Sequence, residues 1–348
     1  MIKEILIKDE LQWDSVVKSF EQYDVYYLSG YVKAFCLNGD GEPILLYFEG
    51  NGVRGINIVM KRNIGLFSKL SSAVEKHPCY DFVTPYGYGG FLIEGNSIDE
   101  MEKEYIQYCR EQNIVSEFVR FHPLLENHDC VKSIYDLTYL GNTIVIDTQN
   151  PEVIWQNFTS KNRNMVRKAQ KSGLKVYWTR DESIIDVFME IYNATMDKDE
   201  ADSYYYFNRE FYESILNDLK YQAMWFYAKK GSEIASIAIF LFANGKMHYH
   251  LSASRREYQS MAPTNLLLYE AAVWASQNGY RLLHLGGGLG AGNDSLYSFK
   301  KAFNRQSDSH FYIGKKVFQK EVYHALVNAR KREENFDESS NYFPLYRA

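Results

Sequence analysis

Residues 247–285 read "MHYHLSASRREYQSMAPTNLLLYEAAVWASQNGYRLLHL". Apolar and polar residues alternate from Met247 to Ser254, which predicts a strand. A turn follows at "QSMAPT", and the leucine- and alanine-rich run after it has the length of a helix. Pro263 stands just inside the helix start and Gly279 just past its end, where a missing N–H and a missing Cβ cost least. A second strand, "YRLLHL", closes the unit. Strand, turn, helix and strand in this order place a helix N-terminus beside a strand end, where free N–H groups and the helix dipole favour an anion.

The chain continues as "HLGGGLGAGNDSLYSFKKAFN" (284–304), with five glycines in the seven positions 286–292. Gly286, Gly288 and Ala291 satisfy G-x-G-x-x-[GA], but a dinucleotide fold also needs an acidic residue at the end of the next strand to hold a ribose. The next strand-like stretch, "HFYIGKKVF", ends in lysines and Phe318. The pattern also sits near the end of its domain rather than opening one. An oxidoreductase is therefore disfavoured, and absence of NAD(P)H or flavin binding would eliminate it. The glycines instead supply positive φ where the backbone turns out of a sheet, with Asn293–Ser295 capping the helix "SLYSFKKAF". Leu296, Phe299 and Phe303 form its apolar stripe, with Lys300 and Lys301 at the edge. Bare backbone at Gly287 and Gly288 also lets a bulky substrate approach.

With 348 residues, 46% hydrophobic and 24% charged, the chain is long enough for two globular domains. A net charge of −5 excludes a global attraction to nucleic acid or acidic membrane, so any anion site must be local. The 29 tyrosines fit a cleft for a polar substrate as well as ordinary packing. Cys36, Cys79, Cys109 and Cys130 lack C-x-x-C spacing and read as reduced thiols. The start, "MIKEILIKDELQW", has no apolar core of a signal peptide. The longest apolar run, 234–243, is about half a membrane span. A cytoplasmic protein without a transmembrane segment is expected.

Upstream, "PILLYFEG" and "GVRGINIVMKR" predict a strand pair, "SIDEMEKEYIQYCREQN" a helix, and "SEFVRFHP" and "NTIVIDT" two more strands. The pattern restarts at Pro151 with one helix over "PEVIWQNFTSKNRNMVRKAQKSG", and strands near 222, 234 and 247 form an antiparallel meander flanked by helices. The expected fold class is mixed α/β. A first domain spans 1–148 and a second 149–348, whose last segment from about 310 packs back on the first.

The crossover at 247–285 resembles the donor-binding half of GNAT acyltransferases. Residues "KNRNMVRKAQKSGLKV" (161–176), "YYYFNREFY" (204–212), the crossover, and "GGG…DSLYSFKKAF" (286–303) follow one another as in the Fem-type (FemABX-like) aminoacyl and acyl transferases, and "YDFVTPYGYGG" (80–90) is similar to their tyrosine- and glycine-rich first-domain segment. The resemblance spans most of the chain. It implies two tandem GNAT-like domains and an acyltransferase that moves an aminoacyl or acyl group to an amine on a phosphate-linked cell-envelope precursor, a peptidoglycan intermediate or a polysaccharide amino sugar. The first domain would serve the acceptor and the second the donor. No resident cofactor is implied; the co-substrate is aminoacyl-tRNA or acyl-CoA. The usual acetyl-CoA loop, Q/R-x-x-G-x-[GA], is replaced by "QSMAPT", which tilts the donor toward tRNA.

Six cations and no acid lie between Lys161 and Lys175. On a helix Phe158, Met165, Val166 and Ala169 form the buried side, leaving Arg163, Arg167 and Lys171 together outside, either as a solvated face or as an anion site. The resemblance implies phosphate contacts by Arg163, Arg167 and Lys33, acceptor contacts by Tyr86 and Tyr206, and an electrostatic role for Lys300. Glu94 matches an acidic position that meets the acceptor amine. The donor would run along Ser252 and Ser254 to Pro263, Thr264 and Asn265. By strand alternation His248 and His250 share a face with those serines. An H-x-H pair can ligate metal, but no third ligand is spaced with it, so no metal is expected. His250 can instead accept a proton from an attacking amine, or sit as a satisfied histidine. The rival functions are an acetyl-CoA-dependent N-acetyltransferase acting on a nucleotide sugar and a non-catalytic module binding a precursor or RNA. Oligomeric state is not legible.

Overall fold

The computed structural model describes residues 1–73, 78–307, 309–333 and 335–348. The chain divides into two compact units, Met1–Tyr139 with Phe311–Ala348, and Leu140–His310. The first unit runs β1 (Lys3–Leu6), α1 (Glu10–Lys18), α2 (Ser29–Leu37), β2 (Glu42–Gly50), β3 (Val53–Asn63), β4 (Tyr80–Val83), β5 (Leu92–Glu94), α3 (Asp99–Glu111) and β6 (Ile114–Arg120). The chain enters the second unit within β7 (Asp136–Asp147), then forms α4 (Pro151–Asn157), α5 (Ser160–Lys171), β8 (Lys175–Thr179), α6 (Ile184–Lys198) and α7 (Arg209–Leu219). It continues through β9 (Ala223–Lys230), β10 (Glu233–Ala243), β11 (Lys246–Ser254), α8 (Pro263–Gln277), β12 (Leu282–Gly286) and α9 (Ser295–Lys301). It returns to the first unit within β13 (Ser309–Val317), followed by α10 (Lys320–Arg330). The crossing inside β7 lies upstream of the 148/149 position, because the middle of a strand carries no turn signal.

The two sheets share one plan. In the first unit β1, β2, β3 and β4 pair antiparallel in sequence order, β4 pairs parallel with β6, and β13 closes antiparallel to β6. In the second β8, β9, β10 and β11 repeat the antiparallel run, β11 pairs parallel with β12, and β7 closes antiparallel to β12. The parallel step contains α3 in one case and α8 in the other, as a parallel pair requires a crossover. The closing strand of the first sheet is the last strand of the chain; that of the second precedes the rest of its unit.

The second unit buries apolar residues on both sheet faces. Val166 and Ala169 of α5 and Leu266–Leu268, Ala271, Ala272 and Ala275 of α8 pack with Phe226, Ala238, Phe240 and Phe242. On the other face Phe188 of α6 lies 6.0 Å from Trp225 and 5.2 Å from Tyr212 of α7. Each such fully buried large side chain contributes about 1.5–3 kcal/mol. The single helix expected over 151–173 is two. Phe158 turns into the core with extended backbone, and Thr159 starts α5 by accepting the Asn162 amide at 3.1 Å. A helix period cannot tell a break where the residue at the break is itself buried. Among the described residues no helix is long and apolar enough to cross a membrane.

Candidate functional site

β11 and β12 pair only where Lys246–His248 meet Leu282–His284, although β11 continues to Ser254. Beyond His248 the two strands part, so one edge of β11 carries backbone groups that the sheet does not use. The register with β10 shifts at this point: Phe240 opposes Tyr249 and Ile239 opposes Leu251, leaving His250 as the extra residue of a bulge. The bulge reverses the alternation. Tyr249 and Ser252 now share a face, and the Tyr249 hydroxyl donates to Ser252 Oγ at 2.5 Å. The expected common face of His248, His250, Ser252 and Ser254 therefore does not form. His248 faces His284 across β12, ring centroids 5.5 Å apart, and His284 Nε2 lies 2.8 Å from Thr143 Oγ1. No local pattern in the sequence announces that partner, since parallel register is set through the crossover. Burial and then the neighbouring His248 push the His250 pKa down to about 3, so its imidazole is neutral at physiological pH.

From that end of β11 the chain runs through residues 255–262 to the N-terminus of α8. Ala262 precedes it in the left-handed region, φ 56° and ψ 48°, a conformation that costs an alanine roughly 1–2 kcal/mol. Pro263 is the first helical residue, no side chain caps the start, and the Thr264 and Asn265 amides have no acceptor among the described residues. Asn265 Nδ2 donates to Asn162 Oδ1 at 2.8 Å. Asn162 is buried at the first turn of α5, and its own Nδ2 has no partner among the described residues. A buried amide donor left unused costs about 1–3 kcal/mol. Sequence reading missed Asn162 because it took this stretch for the middle of a helix.

Past β12 the glycine stretch is a turn closed by one carboxylate. Asp294 caps α9, accepting the Tyr297 amide at 2.7 Å and the Leu289 amide at 2.8 Å. Those amides hold its pKa below the usual range. A Cβ on Gly288 would lie 2.4 Å from Asp294 Oδ1 and 2.3 Å from the Gly292 carbonyl, so only glycine fits there. Lys300 lies inside this turn rather than at the helix edge as expected. Its side chain is 9% exposed and its Nζ donates to the Gly287 carbonyl at 2.7 Å. Burial pushes its pKa down to about 8, with Asp294 opposing. Leu296, expected in the stripe, is exposed. Lys300 points inward because the turn just after α9 buries Phe303, which draws the residue three positions earlier to the same side.

The remaining expected residues are held differently. Arg163 donates to the Phe158 carbonyl at 2.6 Å and to Ser160, closing the C-terminal end of α4 rather than standing free. Arg167 is exposed, its guanidinium 5.1 Å from the Trp155 ring centre. Tyr206 donates to Asp197 at 2.7 Å, which raises its pKa. In the first unit Lys33 pairs with Glu10 at 2.9 Å, and Tyr86 stacks on Phe35 at 5.6 Å. Glu94 accepts the Glu21 amide at 2.8 Å and Arg54 Nε at 2.6 Å. Burial alone would raise its pKa, but these donors outweigh it and hold the carboxylate below the usual range. A carboxylate so committed is a poor proton acceptor, and the role expected for Glu94 loses its support.

A strand edge that leaves its sheet, an uncapped helix start and a buried ammonium beside bare backbone suit an anionic acyl donor and a developing oxyanion. Residues 157–301 match the family described as Acetyltransferase (GNAT) domain. No curated protein matches. The crystal structure of FemX is similar over 93% of this chain and 99% of its own, at 14% identity and a TM-score of 0.66. A conserved protein of unknown function from Bacteroides thetaiotaomicron covers 90% and 99% at 8% identity and 0.60. The C-terminal domain of a putative lysylphosphatidylglycerol synthetase from Agrobacterium fabrum covers 93% and 96% at 12% identity and 0.54. The chain thus carries a GNAT domain within a two-domain fold shared with FemX, and it is an acyltransferase.

Proposed function

We propose that the protein transfers an aminoacyl or acyl group to an amine on a phosphate-linked cell-envelope precursor. The parting of β11 from β12 beside the uncapped start of α8 carries this reading. The donor's acyl-bearing end lies along the unused edge of β11 near Ser252 and Ser254, and its phosphate takes the Thr264 and Asn265 amides with Asn162 Nδ2. Pro263 leaves the amides after it free to point outward. Lys300, as an ammonium beside Gly287 and Gly288, stabilises the oxyanion of the tetrahedral intermediate. The amine lone pair forms the C–N bond, the ester C–O or thioester C–S bond breaks, and the amine proton leaves with the departing alkoxide or thiolate. Neutral His250, at the bulge, orients the amine rather than holding a charge. Arg167 and Tyr206 are the second unit's contacts to the acceptor's anionic handle, Arg163 supports Arg167 by fixing the α4–α5 joint, and Lys33 and Tyr86 are the first unit's own candidate anion contacts. The names of the similar solved structures, FemX and a lysylphosphatidylglycerol synthetase, support an envelope-directed aminoacyl transfer.

A second reading, acetyl-CoA as donor to a nucleotide amino sugar, is favoured by the acetyltransferase family match over 157–301. Incubation with radiolabelled acetyl-CoA or aminoacyl-tRNA, each with a UDP-linked muropeptide and a UDP-amino sugar, separates the two. Label should move from one donor to an amine. Folded protein that transfers nothing from either donor to either acceptor refutes both.

A further inference from the structure

The first unit holds an arginine whose surroundings prepare it for a ligand. Arg120 ends β6, and its backbone is held from both sides: its N–H donates to Thr84 Oγ1 at 3.0 Å and its carbonyl accepts the Gly89 amide at 2.8 Å. Its side-chain Nε donates to the Gly87 carbonyl at 3.0 Å. The guanidinium carbon lies 5.9 Å from the Tyr86 ring centre and 5.6 Å from that of Phe311. These two rings are themselves fixed, Tyr86 on Phe35 and Phe311 edge-on to Tyr88 at 5.4 Å. Gly87 adopts φ 93°, and a Cβ there would lie 2.6 Å from the Tyr26 ring and 2.9 Å from the Tyr31 hydroxyl. The tyrosine- and glycine-rich stretch 84–90 is thereby shaped around one guanidinium.

Arg120 is only partly buried, and no carboxylate of the described residues pairs with it. A structural arginine in such a place ordinarily finishes its donors on a carboxylate or on carbonyls. Here one donor is spent on Gly87, and the two terminal nitrogens have no acceptor among the described residues. The rings restrict the fork in its plane, which lowers the entropy that bidentate binding would cost.

We propose that Arg120, framed by Tyr86 and Phe311, is an oxyanion-binding subsite that takes two oxygens of one carboxylate or phosphate group. The subsite stands on its own geometry; its assignment to the acceptor rests on the transfer reaction proposed above. Under that assignment the acceptor carries an anion recognised by the first unit. Tyr88, whose hydroxyl burial pushes up to about 12, stays protonated beside the guanidinium.

The test is titration of the full chain with sodium pyrophosphate and, separately, sodium acetate, read by the Arg120 Nε–H signal in a nitrogen-15 spectrum and by calorimetry. Saturable binding of at least one anion is expected; the tighter of the two identifies phosphate or carboxylate as the source. Arg120→Met should abolish the binding, Arg120→Lys should weaken it about ten-fold for loss of the fork, and Lys300→Met should leave it within two-fold. An Nε–H signal that does not move at tens of millimolar of either anion overturns the subsite, and does so even if Arg120→Met does not fold. Binding that survives undiminished in folded Arg120→Met and also in Arg120→Met with Asn162→Ala, which removes the donor phosphate contact proposed above, overturns it too, as does an Nε–H shift that is lost in Lys300→Met. Because neither anion is an acyl donor, failure of acyl transfer leaves this result intact.

Discussion

The Lys300 ammonium sits inside the turn it bonds, 2.7 Å from the Gly287 carbonyl, and Asp294 closes that turn from the other side without pairing directly with it. The lysine is thus buried, cationic and short of a counterion, a state that costs stability and suits a developing negative charge. Its consequences are separable in experiment.

Lys300→Met should lower kcat by about 10²–10³-fold, the usual effect of removing one oxyanion donor, without lowering Tm. A fall in Tm with unchanged kcat would make Lys300 structural. Because its folded pKa is near 8 and the ordinary value of a lysine is 10.5, the unfolded chain holds the proton more tightly. Folding stability should therefore rise between about pH 8 and pH 10.5, while transfer falls over the same window as the ammonium is lost. Urea midpoints and initial rates across that range check both signs.

Asn162→Ala removes the buried amide aimed at the α8 start. We expect KM for the donor to rise about ten-fold with kcat little changed, since a hydrogen bond to a charged group is worth about 1.5–3 kcal/mol. Donor KM equal to wild type, or a loss confined to kcat, would sever Asn162 from donor binding.

Ala262→Gly relieves the left-handed alanine before α8. The substitution should stabilise the fold by about 1 kcal/mol, read as a higher urea midpoint at unchanged m-value. A lower midpoint would mean that the gain in unfolded-state entropy outweighs the strain.

Gly288→Ala should do the reverse. With its Cβ 2.4 Å from Asp294 Oδ1, the carboxylate must leave the cap, at a cost of about 1–2 kcal/mol. Asp294→Ala should cost a similar amount, and the double variant should cost less than the sum of the two. Strict additivity would show that the glycine and the carboxylate act independently.

Much of the second unit was legible because its signals are local. The β9–β11 meander, α8 between Pro263 and Gly279, and the capped turn into α9 are each written within a few residues: alternation, a proline at N1, a glycine at φ 79°, an aspartate before the helix. Backbone sterics and orphan N–H groups act over one turn, so a short window holds the information. What tertiary structure alone decided was which side chain meets which across distant strands. The bulge at His250 turned Ser252 toward Tyr249, parallel register set His248 against His284, and Arg54 from the neighbouring strand engaged Glu94. Burial of Phe303 drew Lys300 inward, and folding gathered Thr84, Tyr86, Gly87 and Phe311 around Arg120. Register and burial depend on the packing of the whole sheet, where a shift of one residue reverses every face, and no short stretch of sequence carries that sum.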